Sequence, residues 1–214
     1  MQRLFIIAGL ALAGAGIVYY FSTRTKPEGL PGETVSAPEE TTQVPSLPAK
    51  SGLGNDFDDL IRTVANAELV SPAILKAIVA KESFFDADAI NPEKNFTING
   101  VTYPQYDKRG QGVLRAFIKE KEDPLTLGIN PSLGLAQVRV TIGQKMIPGL
   151  DAWELFIPQT NLTASGRLLR ELLDAGITLD TIDAYNVGQG LRIRNLKYRD
   201  EVNSYYARFV GDFS

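Results

Sequence analysis

The sequence predicts a mainly α-helical domain carrying one small β-hairpin, placed behind an N-terminal membrane helix and a flexible linker. Three observations carry that expectation. From Phe57 onward apolar residues recur at helical spacing. A single Asn-Gly pair, Asn99-Gly100, sits between two β-type runs. Ahead of both lie an uncharged apolar run and a Pro-rich stretch with no period at all.

The apolar run is Leu4 to Phe21, 18 residues without a charge. As a helix it spans about 27 Å, close to the hydrocarbon thickness of a bilayer. Tyr19 and Tyr20 stand at one end, where amphipathic rings favour the interface. A cleaved signal peptide is the rival, but its apolar region is normally shorter, and here the small residues Ala13 to Gly16 fall inside the run. Residues 1–22 are therefore expected to be a retained transmembrane anchor in contact with lipid. Arg3 on one side and Arg24 with Lys26 on the other leave its orientation open. Residues 23–54 hold prolines at 27, 31, 38, 45 and 48 and read as a flexible tether. The folded domain is expected over 55–214.

Within it, Phe57, Leu60, Ile61, Val64 and Ala65 mark an amphipathic helix. Ser71-Pro72 is a start signal, with Ser as N-cap and Pro at the first helical position. The helix that follows, AILKAIVAKES, is apolar enough to be largely buried. FTINGVTY, residues 96–103, is the hairpin, with a type I′ turn at Asn99-Gly100. Val113 to Lys121 reads as a short helix, and Asn161 to Ala175 as a longer one stopped by Gly176. Leu179 to Tyr185 and Val202 to Val210 complete the set.

Composition narrows the chemistry. There is no Cys and no His, which excludes thiol nucleophiles, disulfides, His-based triads and HExxH zinc sites. Proton transfer must run through carboxylates, or less readily Tyr or Lys, which points toward glycoside chemistry. The net charge of -3 gives no electrostatic case for a nucleic-acid partner. No metal-ligand cluster or phosphate-binding glycine loop is present in the pattern, so no cofactor is expected. Glu82 stands out. Leu75, Ile78 and Val79 precede it by seven, four and three residues, so it ends an apolar helical stripe. Partial desolvation there raises a carboxyl pKa and makes it an acid usable near neutrality.

Lys81-Glu82-Ser83, Gly134-Leu135-Ala136-Gln137, Leu155-Phe156-Ile157-Pro158 with Asn161 and Gly166, and Ala184-Tyr185-Asn186-Val187-Gly188 occur in that order. Together they resemble the soluble lytic transglycosylases, a family with a goose-type-lysozyme-like α+β fold, over roughly Phe57 to Phe209. Ala136 and Val187 depart from the family's usual Met and Ala, and residues 91–130 are longer than the common linker. The resemblance implies that Glu82 is the acid/base that cleaves the N-acetylmuramic acid–N-acetylglucosamine bond of peptidoglycan, leaving a 1,6-anhydro end. It also implies that Tyr185 bonds to Glu82, that Ser83, Gln137 and Asn186 line the cleft and orient sugar, and that Gly134 and Gly188 permit tight backbone approach. Asp86 and Asp88 read as solvated loop acids; either as a second carboxylate would make the protein a hydrolysing lysozyme. Phe84, Phe85, Tyr103, Tyr106 and Tyr198 are candidate sugar-stacking rings. Small anchored enzymes of this kind resemble those carried by membrane-containing phages or by secretion and conjugation machines. A non-catalytic glycan-binding module on the same fold is the other class left open.

Overall fold

Helix α2 (Pro72–Glu82) is the axis about which the domain is built. Ser71 caps its start, its Oγ accepting from the backbone N of Ile74 at 3.4 Å, and Pro72 takes the first turn, where no donor is needed. Seven of its residues, Ala73 and Leu75 to Ala80, are buried, so the helix is covered nearly all round. The computed structural model describes residues 54–175, 185 and 196–213. The anchor, nearly all of the linker, the Gly176 stop and all of the Leu179 helix except Tyr185, which is helical, lie outside them. Among the described residues no helix is long and apolar enough to cross a membrane.

Around α2 pack α1 (Asp58–Ala67), α5 (Pro158–Asp174) and the last helix, α6 (Leu196–Phe209). The expected amphipathic face of α1 is present: Ile61, Val64 and Ala65 are buried. Helix α5 begins one turn earlier than its apolar pattern suggests, because Pro158 supplies a ready first position. Gly166 on α5 meets α1, where a Cβ would lie 3.2 Å from Glu68, so the small residue sets a close helix contact.

The β side holds more than the predicted hairpin. Strands β2 (Phe96–Ile98) and β3 (Val101–Tyr103) pair antiparallel with Phe96 opposite Tyr103 and Ile98 opposite Val101. Asn99 and Gly100 both have positive φ, 51° and 77°, as a type I′ turn requires. A second sheet, order β1-β4-β5, joins Ile90–Asn91, Ser132–Leu133 and Val138–Arg139. Strands of two residues leave no alternation to read, which is why the pattern gave no sign of them. Helix α3 (Lys108–Lys119) starts five residues before the expected Val113, since Asp107 caps it by accepting from the backbone N of Arg109 and Gly110. A short α4 (Val140–Met146) follows β5 directly.

A buried charge closes the helical side. Lys76, fully buried on α2, lies 2.6 Å from Oδ1 of Asp58 and 2.6 Å from Oδ2 of Asp212, with its ammonium 4.8 Å from the Phe209 ring centroid. Two carboxylates and a π face replace the water this cation gives up. The C-terminal turn Val210–Phe213 is thereby latched onto α1 and α2.

Candidate active site

Glu82 is the last residue of α2, and the chain turns sharply after it. Phe84 and Phe85 both take positive φ, 55° and 68°, a conformation that costs non-glycine residues energy and is held only by the surrounding structure. Phe85 is fixed between the rings of Phe57 and Phe209. The Glu82 carboxyl faces a cavity of about 650 Å³. Burial raises its pKa above the ordinary value of 4.5, opposed by a hydrogen bond from Tyr198 and by the nearby Lys81 charge. The Lys81 ammonium itself points to Glu201, 2.5 Å away.

The hydroxyl partner of Glu82 differs from the expected one. Tyr198 on α6 donates to Glu82 Oε1 at 2.6 Å. The Tyr185 hydroxyl is engaged instead with Ala136 O at 3.0 Å and Ser165 Oγ at 2.9 Å. A phenol has one proton, so it serves the carbonyl while the buried serine donates back. Tyr185 still lines the cavity, and its pKa is pushed up by burial, with the Glu82 charge adding to the effect. Tyr198 is buried, which removes it from the set of sugar-stacking rings. Its phenol is likewise pushed up by burial and by Glu82, so it stays a donor.

Gly134 and Gln137 occupy one tight turn. Gly134 has φ of +71°, and a Cβ there would come within 2.3 Å of Leu155 O and 2.5 Å of Asn161 Nδ2. The close approach expected of Gly134 is thus to the protein's own backbone, and it does not line the cavity. Asn161, fully buried, holds this turn in place: Oδ1 accepts from Ala136 N at 2.8 Å, and Nδ2 donates to Leu133 O at 2.7 Å and Leu155 O at 2.9 Å. Gln137, at φ of +47°, lines the cavity and donates from Nε2 to Gly134 O at 3.0 Å. Ser83 caps the end of α2, its Oγ donating to Val79 O at 3.3 Å, and lies off the cavity wall. Asn186 and Gly188 lie outside the described residues.

The loop acids behave as read. Asp86 accepts from the Asp88 backbone N at 2.9 Å, Asp88 pairs with Lys119 at 2.7 Å, and neither lines the cavity. Among the described residues the second carboxylate on the wall is Glu93, which the sequence did not single out. It is committed on both oxygens: Oε1 accepts from Ser132 Oγ at 2.8 Å and Arg139 Nε at 2.9 Å, and Oε2 meets an Arg139 terminal nitrogen at 2.7 Å. Among the described residues no His, Cys, Asp or Glu cluster is arranged to hold a metal.

One half-buried acid at a helix end, a tyrosine donor on it and a cavity in front of it is an arrangement for protonating a leaving oxygen. Comparison with protein families matches the Transglycosylase SLT domain over residues 59–207. The chain belongs to the SLT transglycosylase family. This makes it a lytic-transglycosylase-type protein acting on peptidoglycan. Neither the curated proteins nor the solved structures contain a match to it. The matched span of the SLT domain includes Glu82, Gln137, Asn161, Tyr185 and Tyr198, while Phe57 and Phe209, which hold Phe85, lie just beyond its two ends. Asn91, Glu93, Gln105 and Arg139 join the wall from outside the family's quoted motifs. No periodic signal could have found them, since all four sit in loops or two-residue strands. Tyr198 did leave a trace: with Val202 and Phe209 it forms the buried face of α6, where a phenol needs a partner.

Proposed function

We propose that this SLT protein cleaves the β-1,4 bond between N-acetylmuramic acid and N-acetylglucosamine, with Glu82 as both acid and base. Protonated Glu82 gives its proton to the glycosidic oxygen as the bond to the muramoyl anomeric carbon breaks. The resulting carboxylate then takes the proton of the muramoyl 6-hydroxyl, whose oxygen closes on that carbon to give the 1,6-anhydro ring. No water is consumed, and one carboxyl serves both steps. The observation that carries this reading is the setting of Glu82: desolvated, held by Tyr198, and facing a cavity whose other carboxylate among the described residues is neutralised by Arg139. Among the described residues that wall offers no free carboxylate for the water-activating second acid that a hydrolysing lysozyme needs. Gln137 and Tyr185 border the same space and are assigned to substrate orientation.

The test is mass spectrometry of peptidoglycan digested by the purified full chain, beside a Glu82→Gln control. Anhydro-ended muropeptides from the wild type alone are expected. Reducing ends lost in the control would make the protein a hydrolase. No products from either folded protein would leave the glycan-binding module.

We further propose that residues 1–22 anchor the chain in a bilayer, either a phage virion membrane or a bacterial inner membrane, with 23–54 as a tether to the periplasmic wall. A flexible tether of this length reaches about 30 Å. Resistance of the full chain to alkaline extraction from membranes, with an intact N-terminus by mass, is the expected result. A mature chain lacking the apolar run would make it a cleaved signal.

A further inference from the structure

The β2–β3 hairpin returns the chain so that Gln105 meets Asn91, and both side chains line the cavity that Glu82 faces. Asn91 Oδ1 accepts from Gln105 Nε2 at 3.2 Å and from the Glu93 backbone N at 3.1 Å. Those bonds fix both amides. The Asn91 oxygen and one Gln105 N–H are used, leaving Asn91 Nδ2 as a donor and Gln105 Oε1 as an acceptor. Neither atom has a protein partner among the described residues, and neither is sealed from solvent. The backbone at 105 is held independently of its side chain: its N donates to Asn95 Oδ1 at 3.0 Å and its O accepts from Gln111 Nε2 at 3.4 Å. A fixed donor and a fixed acceptor on two hydrogen-bonded side chains suit a group that presents C=O beside N–H, as a secondary amide does.

We infer that Asn91 and Gln105 form a subsite for a secondary amide of the substrate, Asn91 Nδ2 donating to its oxygen and Gln105 Oε1 accepting from its N–H. The inference rests on the cavity being the peptidoglycan cleft. Such amides occur in peptidoglycan both in the N-acetyl groups of the sugars and in the stem peptides. A pre-fixed amide pair contributes binding at small ordering cost, and it discriminates because a substrate lacking the amide leaves both groups unpaired.

The experiment uses the full chain on glycan strands with intact stems and on strands stripped of stems by an amidase. Gln105→Ala is expected to raise KM about three- to tenfold, with kcat little changed, as for loss of one hydrogen bond. Gln105→Glu draws the Asn91 amide donors onto its own carboxylate and should raise KM similarly. Thr102→Ala, on the exposed hairpin pair Thr97–Thr102, should leave KM alone. Thermal unfolding separates misfolding from lost binding. A rise on both substrates assigns the amide to the sugar, and a rise only on stem-bearing strands assigns it to the peptide. Unchanged KM on both, or a loss confined to kcat, overturns the subsite. Should the wild type cleave neither substrate, strand binding by the Glu82→Gln chain is compared with and without Gln105→Ala. Weaker binding by the double variant keeps the subsite and discards the catalytic reading; equal binding discards the subsite.

Discussion

The Tyr198 hydroxyl donates to Glu82 Oε1 at 2.6 Å, joining residues 116 apart in sequence. Helix α6 packs along α2, so a phenol on its buried face reaches the carboxyl at the end of α2 without leaving the core. The bond favours the ionised carboxylate, while burial favours the neutral acid and is the larger influence.

Removing that donor moves the acid upward. Tyr198→Phe takes away an interaction that lowers the Glu82 pKa, so the alkaline limb of the rate profile should shift to higher pH. The maximal rate should fall about tenfold, because the carboxyl loses its fixed orientation. A pH–kcat profile checks both; an unshifted limb would sever Tyr198 from the titration of Glu82.

Glu82 should destabilise the fold at neutral pH. Its folded pKa is raised, so the native state binds more protons than the unfolded one between 4.5 and that higher value. Stability contributed by this group therefore falls as pH rises through the window. Glu82→Gln should therefore melt above wild type at pH 7. The advantage should shrink toward zero below pH 4.5, as read by calorimetry across pH.

Gly134→Ala should cost stability and activity together. A Cβ at φ of +71° would stand 2.3 Å from the Leu155 carbonyl oxygen, which cannot move without breaking its bond from Asn161. A loss of about 2–3 kcal/mol is expected in urea unfolding, combining backbone strain with the clash. Activity should fall further than stability predicts, since the turn presents Gln137 to the cavity.

Lys76→Met should lose about 3–5 kcal/mol, because it removes the ammonium that lies between the Asp58 and Asp212 carboxylates. Adding Asp58→Asn and Asp212→Asn should recover much of that loss. Denaturant midpoints of the single and triple variants give the comparison, and full additivity would sink the account.

Much of the helical frame was legible because helix signals are local. Ser71-Pro72, the stripes at Ile61 to Ala65 and Leu75 to Val79, and the Asn99-Gly100 turn each lie within a few residues, and each formed as read. The two-residue strands and the early start of α3 were not legible, since pairing across 41 residues and a cap outside the apolar pattern leave no periodic trace.

Glu82 could be chosen from sequence alone: a carboxyl ending an apolar stripe must lose water wherever that helix packs, and without His or Cys other proton carriers were few. Which phenol reaches it could not. Tyr185 and Tyr198 are both tyrosines in helical segments, and only the packing of α6 on α2 gives the bond to Tyr198 while Ala136 and Ser165 claim Tyr185. Likewise Arg139 neutralises Glu93, and Gln105 meets Asn91, through folds of the chain that bring distant residues within 3 Å or so. Residue type and local period determine what chemistry a chain can perform. Contacts between residues far apart in sequence carry no local signal, so the tertiary structure alone decides which groups perform it together.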